Sequence, residues 1–181
     1  MDNLLDLSRL QSGTARARSQ RVSLDEILWP ALQLVPRDRV RVQADESLPL
    51  LTTDPGLVVR ALGNVVENAI KYTPEETKIV IMARRAPSST LTDSPTGDMI
   101  EIRVVDHGPG VTDEAKERMF DSFQQLGDRR RAGGLGLGLA VARGFVEAVG
   151  GSLQAKDTPG GGLTMVLTIP VAPSAVGDRV G

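Results

Sequence analysis

The sequence predicts an α/β domain of the α+β kind, a two-layer sandwich in which helices form one layer and a sheet the other. Three observations point there: one long helix with a continuous apolar stripe, several short alternating strands, and a closing glycine-rich hairpin. The 181 residues, 40% hydrophobic and 24% charged, suffice for one domain with a substantial core and fall short of two ordinary ones. Lys and Arg number 21 against 23 Asp and Glu, so a net charge of -2 gives no electrostatic footprint for nucleic acid. The lack of cysteine excludes disulfides, thiolate zinc sites, iron–sulfur clusters and a cysteine nucleophile. A single histidine, His107, rules out a multi-histidine metal centre and disfavours a Ser-His-Asp triad. The longest uncharged run, between Asp157 and Asp178, is interrupted by Pro159, Pro170, Pro173 and several glycines, so no membrane insertion is expected of this segment. Asp2 and Asp6 stand where a signal peptide would need positive charge.

In chain order, Leu4, Leu5, Leu7 and Leu10 make a helical stripe that stops at Gly13, so residues 1–13 read as the end of a helix and 14–22 as a basic linker. Ser23 with Glu26 three residues later is a capping box, which places the start of the main domain at residue 23 and a helix from there to about Val35. Val40 and Val42 alternate with Arg39, Arg41 and Gln43 as a half-buried strand does, and a second short strand is expected over 48–52. Asp54-Pro55 supplies an N-cap and a first-turn proline. Leu57, Val58, Ala61, Leu62, Val65, Val66, Ala69 and Ile70 then continue one apolar stripe for more than four turns. Strands are expected over 78–83 and 99–105, on either side of a Pro/Ser/Thr/Asp-rich loop. A short helix over 113–119, a polar glycine-rich stretch over 124–134, a helix over 137–149 and a hairpin with strands 152–156 and 163–169 complete the domain at residue 171. Residues 172–181 read as a flexible tail.

Chemistry concentrates in three places. Asn64, Asn68 and Lys71 lie four and three residues apart and so share one helix face. Carboxamide oxygens suit magnesium and an ammonium suits phosphate, although the same row alone also describes a solvated helix face. The strand ending at Val105 runs into Asp106-His107-Gly108-Pro109-Gly110, which puts a carboxylate at a tight turn. Gly133-Gly134-Leu135-Gly136-Leu137-Gly138-Leu139 enters a helix, whose free amides and positive end suit phosphate. No Gly-Lys pair exists for a P-loop, and the glycine spacing does not fit a dinucleotide fingerprint.

Taken in order, these motifs resemble the histidine-kinase ATP-binding domain of the gyrase, chaperone, histidine-kinase and mismatch-repair superfamily. The asparagine box matches residues 64–72, the first glycine box 106–110, the phenylalanine box Phe120-Asp121-Ser122-Phe123 and the second glycine box 134–139. A narrower resemblance, carried by residues 3–10, 125–128 and 159–167, is to the potassium-responsive Kdp sensor kinases. The resemblance implies a Bergerat-type ATP-binding fold, a mixed sheet covered on one face by helices.

Asn68 with Asn64 would hold magnesium, Lys71 would meet phosphate, and Tyr72 would lie beside adenine or ribose. Asp106 would accept from the adenine amino group within the turn formed by Gly108 and Gly110. Phe123 would anchor the lid beside the nucleotide, and Gly134, Gly136, Leu137, Gly138 and Leu139 would line the phosphates. Residues 124–134 would form the lid, in which one of Arg129, Arg130 and Arg131 reaches phosphate or all three face water. Thr164 would be an adenine-side contact, although Met165 stands where phenylalanine is common. His107 falls in a variable slot and is expected to be passive.

The implied function is ATP-dependent phosphorylation of a histidine on a dimerisation domain absent from this chain, followed by transfer to a response regulator. Residues 1–13 would be the end of that domain's second helix, and the chain would be a cytoplasmic part of an inner-membrane sensor. Rival readings are a serine kinase that controls a sigma factor and an ATP-dependent interaction module without catalysis. Hydrolysing members carry a water-activating glutamate one turn before the metal-binding asparagine, where this chain has Asn64, so slow ATP hydrolysis is expected.

Overall fold

The computed structural model describes residues 17–86, 98–121 and 137–172. The expectations for residues 1–13, the 87–97 loop, the 124–134 lid with its arginines, Phe123, Gly134, Gly136 and the chain after Ala172 lie outside them.

The elements run β1 (Gln20–Val22), α1 (Asp25–Ala31), β2 (Val40–Ala44), β3 (Leu51–Thr53), α2 (Pro55–Tyr72), β4 (Ile79–Arg85), β5 (Met99–Val105), α3 (Asp113–Arg118), α4 (Gly138–Ala148), β6 (Ser152–Asp157) and β7 (Leu163–Pro170). Five strands form a mixed sheet in the order β2-β4-β5-β7-β6. The β2–β4 pair is parallel and the other pairs are antiparallel. Parallel neighbours need a crossover, and α2 supplies it between β2 and β4. β1 and β3 pair separately as a small antiparallel ribbon.

The core follows the two periodicities that the sequence shows. Ile79, Ile81 and Ala83 of β4, Ile100, Ile102 and Val104 of β5, and Met165, Leu167 and Ile169 of β7 point to the helical layer. They meet Val58, Leu62, Val65 and Val66 of α2 and Val141, Phe145 and Val146 of α4 in one cluster. The opposite face carries Met82, Arg84 and Arg103, with Glu101 buried between its neighbours. Glu101 Oε1 accepts from Arg103 Nε at 2.6 Å and from Arg84 Nε at 3.0 Å. Burial opposes the charge of this carboxylate, but the two guanidiniums outweigh it and hold the carboxyl below its ordinary value.

Three expectations are corrected. The stretch read as linker contains β1, in which only Val22 turns into the core, so its arginine-rich composition hid a strand that pairs with β3. The first helix ends at Ala31 rather than near Val35. Its capping box does form, with Glu26 Oε2 accepting from Ser23 N at 2.7 Å, but Pro30 removes a backbone donor and Pro36 disfavours helix at Val35. Ala172, placed in the tail, is buried and donates to Leu50 O at 2.8 Å.

The long helix begins as its capping chemistry requires. Asp54 Oδ1 accepts from Leu57 N at 3.2 Å and Oδ2 from Arg18 N at 2.7 Å, so one carboxylate caps α2 and holds the incoming chain. Asp54→Ala is expected to lower unfolding free energy by roughly 1–2 kcal/mol, measured by chemical denaturation.

Candidate functional site

The site begins where β5 ends. Asp106 is buried, and its Oδ1 accepts two backbone hydrogen bonds, from Gly108 N at 2.9 Å and from Leu163 N at 3.0 Å. Its own amide donates to Leu163 O at 2.9 Å, so the turn after β5 is stitched to the start of β7. Among the described residues, Oδ2 has no hydrogen-bond partner. A carboxylate with one oxygen held by two backbone donors and the other unused is a fixed acceptor, suited to a ligand that offers an N–H.

The turn rests on the end of α2. A Cβ on Gly108 would lie 2.7 Å from Tyr72 O, so only glycine lets the turn sit directly on the last carbonyl of the helix. That contact brings Asp106 to the helix that carries Asn64, Asn68, Lys71 and Tyr72. Asn64 and Asn68 are half-buried, and neither side chain has a hydrogen-bond partner among the described residues. Lys71 is exposed, with Nζ 5.5 Å from the Tyr72 ring centroid. Among the described residues no three His, Cys, Asp or Glu side chains come together as a metal site. The carboxamide oxygens of Asn64 and Asn68 are hard donors of the kind magnesium prefers.

The second glycine box is described from Leu137 onward. Leu137 is the N-cap residue of α4 with its side chain buried in the core, so it and the half-buried first helical residue, Gly138, can offer only backbone groups. Leu139 is also buried. No side chain among the described residues caps this helix, so its first amides could serve an outside acceptor. Thr164 is buried opposite Val105, and its hydroxyl lies 2.8 Å from the Thr158 hydroxyl. His107 is exposed, with Nδ1 3.3 Å from Gly161 O. Phe120 is half-buried against the core, and Arg143 Cζ lies 5.4 Å from its ring centroid. Lys116 joins Asp113 at 2.8 Å to Asp157 at 2.6 Å, tying α3 to the end of β6; these hydrogen bonds raise its pKa above the ordinary lysine value.

The sequence reading missed Gly162. This residue has φ of 112°, and a Cβ there would overlap the Asp106 carbonyl and crowd His107 Cα. The three-glycine run was visible, but not which glycine is pressed against the turn. Gly160 has φ of 88° and open space around its Cβ position. Gly160→Ala is expected to cost about 1–2 kcal/mol for the left-handed backbone alone. Gly162→Ala is expected to cost more and to displace Asp106, measured by denaturation and by the chemical shift of the Gly108 amide.

A family model of histidine kinase-, DNA gyrase B- and HSP90-like ATPases matches residues 53–173. Sensor protein KdpD of Rathayibacter rathayi is 40% identical over 184 residues, which cover 99% of this chain and 20% of the relative. Sensor-like histidine kinase SenX3 of Mycolicibacterium smegmatis is 34% identical over 183 residues, 94% of this chain and 44% of the relative. The chain thus spans about a fifth of the length of the KdpD relative. Full-length ShkA in complex with AMPPNP superposes with a TM-score of 0.75 at 24% identity, over 96% of this chain and 35% of that one. The catalytic domain of histidine kinase ThkA superposes with a TM-score of 0.68 at 21% identity, over 85% of this chain and 96% of that one. Its sheet order, its stitched turn and this match over two thirds of its length agree: the chain belongs to the histidine kinase-, DNA gyrase B- and HSP90-like ATPase family.

Proposed function

We propose that this domain binds magnesium-ATP and is the catalytic domain of a two-component sensor histidine kinase. It passes the γ-phosphoryl group to a histidine of a dimerisation domain, from which a response regulator is charged. The observation that carries this reading is the seating of the Asp106 turn on the end of α2, which unites a fixed acceptor with the asparagine and lysine row on one framework. The relatives named KdpD and SenX3 support a sensor kinase over a sigma-factor serine kinase or a non-catalytic module. The KdpD relatives further favour potassium-responsive signalling by a membrane-anchored protein with this domain on its cytoplasmic side. No helix among the described residues is long and apolar enough to cross a membrane.

In this mechanism Asp106 Oδ2 accepts from the adenine amino group, with Tyr72 and Thr164 bordering the base. Asn64 and Asn68 would hold magnesium, which would supply positive charge to the phosphate oxygens. Lys71 and the first amides of α4 position the triphosphate, so catalysis is mainly orientation and charge neutralisation. The acceptor histidine supplies the nucleophile. His107 is a poor one, because it lies in the turn beside the base-binding carboxylate rather than at the phosphate end. A water-activating carboxylate is missing at position 64, and Glu67 lies about 100° around the helix from Asn68.

Asp106→Asn tests the base contact. Two backbone amides hold Oδ1, so the amide oxygen must take that place and its NH₂ then meets the adenine NH₂, donor against donor. ATP affinity is expected to fall roughly ten- to a hundredfold by calorimetry, and unchanged affinity contradicts the assignment. The wild-type chain is expected to bind ATP yet hydrolyse it slowly, and to label a supplied dimerisation domain with acid-labile phosphate. Steady hydrolysis at the ~1–100 s⁻¹ of kinase turnover would favour an ATPase instead.

A further inference from the structure

We propose that Arg39 is a positioning residue that sets the adenine side of this site and thereby its preference among purine bases; the inference rests on the nucleotide-binding reading above. Arg39 ends the 3₁₀ turn Arg37–Arg39 and leads into β2, far in sequence from the asparagine and glycine boxes. Its Nη2 donates to the carbonyls of Thr73 at 3.3 Å and Pro74 at 3.1 Å, the two residues after the last turn of α2. These carbonyls lie at the negative end of the helix, where a cation is favoured and a planar guanidinium can hold two acceptors in a fixed geometry.

The neighbouring carbonyl, Tyr72 O, is the one on which Gly108 sits. Gly108 N in turn donates to Asp106 Oδ1 at 2.9 Å. Arg39 therefore connects to the base-binding carboxylate through four consecutive links: guanidinium to carbonyl, Thr73 to Tyr72 along the chain, Tyr72 carbonyl against Gly108, and the Gly108 amide to Asp106. Asn68 and Asn64 lie more than one and two helical turns upstream and take no part in this chain of contacts. Loss of the guanidinium should shift Asp106 relative to the base while leaving Asn64 and Asn68 in place, and any shift of Lys71, beside Tyr72, acts on the phosphates of both nucleotides alike. Nε of Arg39 and Oγ1 of Thr73 are both buried without a hydrogen-bond partner among the described residues, so the two Nη2 bonds are the ones that hold the guanidinium at this corner.

The test is competition binding of magnesium-ATP and magnesium-GTP to the full chain, for wild type, Arg39→Met and Arg39→Lys, with denaturation of each variant alongside. Arg39→Met keeps the length and removes the donors. Its ATP affinity is expected to fall roughly five- to tenfold, the size of one or two hydrogen-bond increments, while GTP affinity changes less than about twofold. Arg39→Lys keeps the charge but not the fork and should give an intermediate ATP-to-GTP ratio. A general loss of folding lowers both nucleotides alike and leaves that ratio unmoved. An unchanged ratio in Arg39→Met, or in Arg39→Lys should the first variant fail to fold, overturns the role of Arg39. If wild type binds neither nucleotide, the nucleotide reading itself falls, and Arg39 with it.

Discussion

The site depends on one oxygen atom, Oδ1 of Asp106, shared by the backbone amides of Gly108 and Leu163. Burying a carboxylate is costly unless it is hydrogen-bonded, and two backbone donors meet that requirement. The same two bonds tie the end of β5, the tight turn after it and the start of β7 into one unit. Everything beside it must then fit closely. Gly108 presses on the last carbonyl of α2, and Gly162 packs against the Asp106 carbonyl with no room for a side chain. Moving the carboxylate means moving a turn, a hairpin and a helix end together.

The proposed ligand is highly charged and the chain nearly neutral. With 21 basic and 23 acidic residues, there is no general attraction for phosphate. Under the proposed function the attraction is local, and the groups that would supply it are the amides at the start of α4 and the Lys71 ammonium at the end of α2. The charge cluster on the open face of the sheet, Glu101 between Arg84 and Arg103, is internally satisfied and lies opposite the helical layer.

Much of this was legible in the sequence because the signals are local. The Asp54 cap, the α2 stripe, β5 and the Asp106 turn each arise from residues adjacent in the chain, and the structure places them as expected. What escaped reading depends on contacts between distant segments. β1 is a strand because β3 lies beside it, not because Gln20-Arg21-Val22 has a strong strand pattern. Gly162 differs from Gly160 only in what it faces across 56 residues of chain, and Arg39 looks like a polar strand residue until Thr73 and Pro74 appear next to it. The short first helix is an intermediate case: its two prolines were visible, but its capping box and apolar residues favoured a longer helix.

Whether Oδ2 of Asp106 reads an adenine amino group is tested directly by one double-mutant cycle. The affinities of wild type and Asp106→Asn are measured for ATP and for the purine ribonucleoside triphosphate that lacks the 6-amino group. If the carboxylate and the amino group meet, wild type prefers ATP, and the substitution removes most of that preference, a coupling of roughly 1.5–3 kcal/mol. Equal losses for both nucleotides, with no coupling, would show that Asp106 shapes the turn without touching the base.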